Sequence, residues 1–361
     1  MRVLVLGSSG FLGGHVERAL RAADGVRVLS GGRSPGACLR LDLATADPAK
    51  LAPQLRALGP DAVVNCAGTV GGDAATLAAV NARGPAVLCE ALRRAAPAAR
   101  LVHLGSAAEY GANDGRTPVP ESAPAAPLGV YGATKLAGTL AVTGSGLDAV
   151  VLRVFDPVGP GAPAPSLPGR LAVQLRRALA AAGEGEPVRA VRVGDLSAHR
   201  DFVDVRDVAR AVVRAVLRGA GGPGAEGVEG SGGADGPGAE AAALPRVLNI
   251  GSGTAHPLRM VAGGLARVAG YSGRIHESAP GADRAIAGGS ASGGLASGGL
   301  ASGGLTWGNA VSDGSASVPW QCADISAARA VLDWRPEITL GASLTALWQA
   351  ARPNSPLVGA R

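Results

Sequence analysis

Lysine is almost missing from this chain. Its 361 residues hold two, Lys50 and Lys135, and the other basic side chains are arginine and five histidines. Aromatic residues are nearly as scarce, at 3%, so the 47% hydrophobic content must build an aliphatic core of Ala, Val and Leu. With few aromatics interleaved among the arginines, no surface for stacking on bases is expected. No block of five or six like charges exists to form a polybasic tail. The net charge of +6 therefore reads as scattered surface arginine, suited at most to small anionic substrates, and nucleic acid is not an expected partner. The four cysteines, Cys38, Cys66, Cys89 and Cys322, show no CxxC or metal-ligand spacing. No metal site is expected, and reduced packing thiols suit the cytoplasm. No apolar run approaches the length of a membrane span. The opening Met1–Leu6 stretch is too short for a signal peptide and reads as a buried strand.

Against that scarcity, one of the two lysines stands four residues after one of only three tyrosines, in Tyr131-Gly-Ala-Thr-Lys135. Four residues is about one helical turn, so the two side chains share a face. A nearby ammonium stabilises phenolate and pulls a tyrosine pKa down from about 10. Tyr131 is thus a candidate general acid/base.

The first 155 residues alternate short apolar runs with longer Ala/Leu/Arg segments. Arg2–Leu6, Val26–Leu29, Ala62–Cys66, Leu101–Leu104 and Val150–Val154 are expected to be strands. Gly13–Ala23, Pro48–Leu58, Ala74–Ala95 and Val130–Val142 are expected to be helices. Such alternation with continuous apolar strands predicts an α/β fold, a parallel sheet covered on both faces. Ligands then bind at the carboxyl ends of the strands. Two stretches break the pattern: 219–245, rich in Gly, Ala, Glu and Pro, and 279–318, which repeats Ala-Ser-Gly-Gly-Leu three times. Both read as disordered low-complexity insertions. Order is expected to resume at Arg246–Ile250 and Trp320–Ala351.

The first strand runs into Gly7-Ser-Ser-Gly10-Phe11-Leu12-Gly13. Glycines at this spacing, between a strand and a helix, permit a tight turn, close approach of backbone N–H groups to a pyrophosphate, and close helix–strand packing. After the second strand comes Ser30-Gly-Gly-Arg33, with no acid to bind the 2′-hydroxyl of NAD. Arg33 could meet a 2′-phosphate, which favours NADP over NAD. It could equally stack on adenine or face solvent.

Taken together, these motifs resemble the extended short-chain dehydrogenase/reductase family, especially its nucleotide-sugar branch. Gly7, Gly10 and Gly13 fit its dinucleotide loop, and Asp42-Leu43 looks like its adenine-contacting step. Cys66-Ala67-Gly68 stands where that family passes the cofactor ribose, and Asn81-Ala-Arg-Gly84 is similar to its Asn-x-x-Gly motif. Ser106 stands four residues before Tyr110, at the place of the family's catalytic Ser or Thr, and Tyr131 and Lys135 fit its Tyr-x-x-x-Lys pair. Asp156, within Arg153-Val-Phe-Asp-Pro-Val-Gly159, and Arg200, within Arg200-Asp-Phe-Val-Asp-Val-Arg-Asp207, resemble later landmarks, as do Leu248–Gly253 and Leu332–Pro336.

The resemblance implies a Rossmann-type doubly wound parallel sheet. It would comprise 1–155, with 201–218 and 246–250 returning to it, and a smaller C-terminal substrate-binding lobe would comprise 156–200 and 251–361. It also implies NADP or NAD as cofactor, a nucleotide-sugar substrate and a possible homodimer. Ser106, Tyr131 and Lys135 would be catalytic. Gly7, Gly10, Phe11, Leu12, Gly13, Arg33, Asp42, Leu43, Ala67, Gly68 and Asn81 would serve the cofactor, with Tyr131 and Lys135. Glu109, Asp156 and Arg200 would face the substrate, although Glu109 reads equally as a loop carboxylate. The implied reaction is reduction of a 4-keto-6-deoxyhexose, as in GDP-4-keto-6-deoxy-mannose reductases. A 4-epimerase with bound NAD and a non-catalytic nucleotide sensor are the alternatives. Ala107 and Ala108 occupy the positions of the family dehydratases' Asp-Glu pair, which argues against dehydration. Asp156 replaces a family Asn; an ionised carboxylate cannot donate a hydrogen bond, so the ligand stays open. His103 reads as a core residue, and His199, beside Arg200, is a further candidate for the substrate side.

Overall fold

A computed structural model describes residues 1–113, 115–181, 190–218, 245–277 and 318–351. The two low-complexity stretches lie outside the described residues, apart from Pro245 and Val318 at their ends. The strands are β1 (Arg2–Leu6), β2 (Arg27–Gly32), β3 (Leu39–Arg40), β4 (Ala62–Asn65), β5 (Arg100–Ser106), β6 (Ala149–Val154), β7 (Asp156–Val158), β8 (Val191–Val193), β9 (His199–Asp204), β10 (Val247–Ile250), β11 (Ala255–Pro257) and β12 (Ile275–Glu277). Helices α1 (Phe11–Arg21), α2 (Pro48–Leu58), α3 (Ala74–Ala78), α4 (Gly84–Ala95), α5 (Val130–Thr143), α6 (Leu167–Ala180), α7 (Val205–Leu217) and α8 (Leu258–Val268) are followed by helices at Ser326–Leu332 and Leu340–Ala350.

Seven parallel strands form the main sheet in the order β10-β6-β5-β4-β1-β2-β3. Its central strands are apolar on both sides, as burial under helices on each face requires. Residues of one parity, such as Val3, Val5, Val64 and Val102, pack under α1 and α7. Those of the other, such as Leu4, Val63, Leu101 and Val151, pack under α2, α4 and α5. The strand order reverses beside β1, so the exits of β1 and β4 open the crevice in which a doubly wound sheet takes ligands. A third core joins α6, α8 and the last helix with a three-stranded sheet, β11-β9-β7, and a two-stranded one, β12-β8.

Two local features depart from the expected pattern. The second strand runs three residues past Leu29, because Gly31 and Gly32 pair with β3. The predicted helix over 74–95 is broken by a π-helical turn at Ala79–Arg83. Pro85 has no N–H to offer the carbonyl of Asn81 and its ring would crowd it, so the chain widens there.

Candidate active site

Gly7 ends β1 with φ +76°, a left-handed conformation that favours glycine, and a Cβ there would lie 2.8 Å from the Ala67 nitrogen. A Cβ on Gly13 would be driven into the Gly7 carbonyl oxygen. The loop thus folds tightly against the exit of β4. Helix α1 starts from Gly10 with no side-chain cap and no acid in its first turn, leaving its positive end unneutralised. A bare N-terminus beside a glycine cradle suits a pyrophosphate. Phe11 stacks edge-on against His15, whose Nε2 lies 2.9 Å from the Pro160 carbonyl and so ties α1 to the loop after β7. Leu12 is packed against the core.

The other expected cofactor residues divide. Arg33 is exposed just beyond β2, and Asp42 is exposed with its carboxylate accepting from the Ala44 N–H. Gly68 is exposed and Ala67 half-buried at the β4 exit. The Leu43 side chain is packed in the core against Gly84. Asn81 is buried, accepts from Thr69 N–H at 3.0 Å and donates to Thr69 O at 2.8 Å. Its amide also donates to Thr134 Oγ1, which in turn donates to the Tyr131 carbonyl. Asn81 therefore stitches the β4 exit loop to the first turn of α5.

That turn carries the rare pair. Tyr131 is half-buried and Lys135, one turn on, is 5% exposed. Ser106 ends β5 and caps a short turn at Ala107–Glu109, its Oγ accepting from Ala108 N–H at 3.2 Å. A Cβ on Gly132 would run into the Ala108 carbonyl oxygen. Helix α5 thus rests its first turn directly on the Ser106 turn because residue 132 has no side chain. From the next turn, Lys135 Nζ donates to the Leu104 carbonyl at 2.5 Å. The fold brings Ser106, Tyr131 and Lys135 to one end of β5, beside the glycine loop.

Burial draws the Lys135 pKa below the ordinary lysine range, while the Glu109 carboxylate and, less so, Cys66 act against that fall. The native state then holds this proton less tightly than the unfolded chain. The cost is full at neutral pH and is relieved as pH rises through the native pKa towards about 10.4. Lys135→Met is therefore expected to raise stability at pH 7 by about 0.5–2 kcal/mol while removing turnover. Melting curves of both proteins across pH check this: the wild type should gain stability in alkali and the variant should lack that gain.

Glu109, expected at the substrate, is fully buried. Its carboxylate accepts from Ser106 N–H and from Arg153 Nε, each at 2.8 Å. Arg153 also lies over the Tyr110 ring, 4.4 Å from its centre, and the Tyr110 hydroxyl donates to Asn249. Burial raises the Tyr110 pKa, with Arg153 opposing, so this second nearby tyrosine stays a phenol. His103 is buried on β5, with Nδ1 3.1 Å from the Asn65 amide. Burial and then Lys135 hold its pKa well below the usual imidazole range, so it is neutral and stays in the core as expected.

Of the residues expected to face a substrate, Asp156 opens β7 half-buried, and Arg200 is buried on β9 with Nη1 donating to the His199 carbonyl. His199 is half-buried, and its backbone pairs with the 319–321 segment. The residue missed by sequence reading is Asp201. It is fully buried and accepts from Ser252 N–H and Oγ–H, Gly253 N–H and Ala323 N–H. It thereby ties two distant segments, 252–253 and 323, to β9. Its place between Arg200 and Phe202 in a strand was the available signal, since alternation turns it away from its neighbours' face. Among the described residues no cluster of His, Cys, Asp and Glu could hold a metal. Nor is any helix among them long and apolar enough to cross a membrane.

Residues 3–228 match the NAD dependent epimerase/dehydratase family. The dTDP-6-deoxy-L-talose 4-dehydrogenase (NAD(P)(+)) of Kitasatospora kifunensis is 33% identical, over 97% of this chain and 95% of its own. The GDP-6-deoxy-D-mannose reductase of Pseudomonas aeruginosa is 29% identical, over 61% of this chain and 72% of its own. Among solved structures, RMD from Pseudomonas aeruginosa complexed with NADPH superposes with a TM-score of 0.70 at 22% identity, covering 97% of this chain and 98% of that one. UDP-glucuronic acid 4-epimerase from Bacillus cereus in complex with NAD gives 0.67 at 21% identity, with the same coverage. These structures share the Rossmann-type fold. The chain belongs to the NAD-dependent epimerase/dehydratase family of enzymes, the extended short-chain dehydrogenases/reductases.

Proposed function

We propose that this protein interconverts a ketone and a hydroxyl at C4 of a nucleotide-linked 6-deoxyhexose, working as a reductase with NADPH. The observation that carries the reading is the packing of the Tyr131 turn of α5 on the Ser106 turn, with Lys135 buried behind both. The 33% identity to a 4-dehydrogenase of a dTDP-6-deoxyhexose supports C4 as the reacting carbon and dTDP as the first nucleotide to test. We take 1–155, with 201–218 and 246–250, as the cofactor part and the remaining described residues as the substrate lobe.

With its pyrophosphate held at the glycine loop, the cofactor would supply the hydride from its nicotinamide. The Ser106 hydroxyl donates to the ketone oxygen and orients it. As negative charge grows on that oxygen, Tyr131 gives up its phenolic proton, and one ketone, one hydride and one proton make one alcohol. Lys135 stabilises the phenolate left behind and holds the nicotinamide ribose. Asp156 and Arg200 would face the sugar and the diphosphate. Ala107 and Ala108 have no carboxylate to take a ring proton, which speaks against dehydration.

The assay mixes protein and NADPH with dTDP- and then GDP-4-keto-6-deoxyhexoses. Stoichiometric loss of NADPH supports the reading. Absence of loss with both sugars, while NAD stays bound to the purified protein, contradicts it in favour of an epimerase. Arg33, exposed where a 2′-phosphate would lie, carries the preference for NADP. Arg33→Ala is expected to weaken NADPH binding about 10–100-fold, the loss of one charge-assisted contact, and to leave NADH unchanged. Fluorescence titration with both nucleotides checks this.

A further inference from the structure

We infer that Glu109 is a positioning residue for the reaction: its buried carboxylate fixes the Ser106 backbone and is the counter-ion that keeps Lys135 charged. The inference rests on the assignment of Ser106, Tyr131 and Lys135 proposed above.

Two hydrogen bonds and the bare Gly105 place the carboxylate. One oxygen takes the Ser106 N–H and the other takes Arg153 Nε. A Cβ on Gly105 would stand 2.7 Å from Glu109 Oε1 and 3.3 Å from Arg153 Cγ. The carboxylate is thus folded back over Gly105 onto the face of β5 that α5 covers. Lys135 reaches the same stretch of strand from the helix, donating to the carbonyl of Leu104. Ammonium and carboxylate therefore meet the chain on either side of one glycine.

The other groups that face Lys135 supply no anion. His103 on β5 is neutral. Burial pushes the Cys66 thiol, at the exit of β4, up to about 12, so it is protonated as well. Tyr131, on the same helix, is the group the ammonium has to influence. Arg153, on β6, is already paired with Glu109. A buried amine with no counter-ion loses its proton, and a neutral Lys135 could not lower the Tyr131 pKa. Sequence reading hides this role, because Glu109 is three residues from Ser106 and looks like part of an open loop.

The near-absence of lysine supplies the test. The full-length protein carrying ¹³Cε/¹⁵Nζ-lysine has two signals, and exposed Lys50 on α2 is an internal reference. Glu109→Gln is expected to lower the Lys135 titration midpoint by about 1–3 pH units while Lys50 does not move. The alkaline limb of the kcat profile should move down with it. Should that variant fail to fold, the double variant Glu109→Gln/Arg153→Met removes both charges, and the Lys135 midpoint should again fall. An unmoved Lys135 midpoint in a folded variant overturns the inference. A lowered midpoint with an unmoved kcat profile supports Glu109 as counter-ion and instead contradicts the catalytic assignment of Lys135.

Discussion

Tyr131→Phe should lower kcat by about 10²–10⁴-fold and leave the fold and NADPH affinity intact. The substitution removes one oxygen, so Gly132 still rests on Ala108 and Thr134 Oγ1 still donates to the backbone carbonyl of residue 131. What is lost is the proton donor, and no other group replaces it. Tyr110 is the nearest alternative phenol, but its hydroxyl is bound to Asn249 and burial raises its pKa. His103 is neutral and sealed in the core. Steady-state kinetics with a saturating keto sugar, together with nucleotide titration, separates loss of chemistry from loss of binding. Retention of most of kcat would remove Tyr131 from the mechanism.

Arg153→Met is the substitution expected to cost most stability, about 3–5 kcal/mol. Arg153 and Glu109 are 6% and 0% exposed at the side chain, so the variant leaves a buried carboxylate without the guanidinium bonded to it. The contact over the Tyr110 ring goes with it. Adding Glu109→Gln to that variant removes the stranded charge and should recover part of the loss. Denaturant melts of the two single variants and the double measure the coupling. Additive losses would show that the pair is not energetically linked.

How legible all this was in the sequence depended on how local each cause is. The strands of the main sheet announce themselves because β1, β4 and β6 are largely buried on both sides and each carries a run of at least three apolar residues. Helix α2 is delimited by Asp47 as cap, Pro48 after it and Gly59 in a left-handed conformation at its end, all readable in sequence. The Gly7 loop and the Tyr131–Lys135 spacing are likewise local.

Strands β7, β8, β11 and β12 are three residues each, too short to show a period, and exist through pairing across long separations. The π-helical turn follows from Pro85, which was visible, but its form depends on the close packing of Gly138 against the Asn81 carbonyl. Glu109 reads equally as a loop carboxylate, and Asp201 passes unremarked inside the Arg200–Asp207 stretch. Their roles come from partners 44 residues away on β6 for one and up to 122 away at Ala323 for the other. Asn81 and Leu43 carried family spacing, but their side chains hold the scaffold together.

The central claim is hydride transfer to C4 with Tyr131 as acid, and isotope transfer tests it most directly. The protein would be given NADPH carrying deuterium at nicotinamide C4 and a dTDP-4-keto-6-deoxyhexose, and the product sugar read by NMR. The account predicts one deuterium at C4 of the sugar for each NADPH consumed, with transfer slowed in Tyr131→Phe. An unchanged keto sugar with no NADPH consumed, together with deuterium-free epimerisation at C4 when the 4-hydroxy sugar is supplied instead, would contradict it.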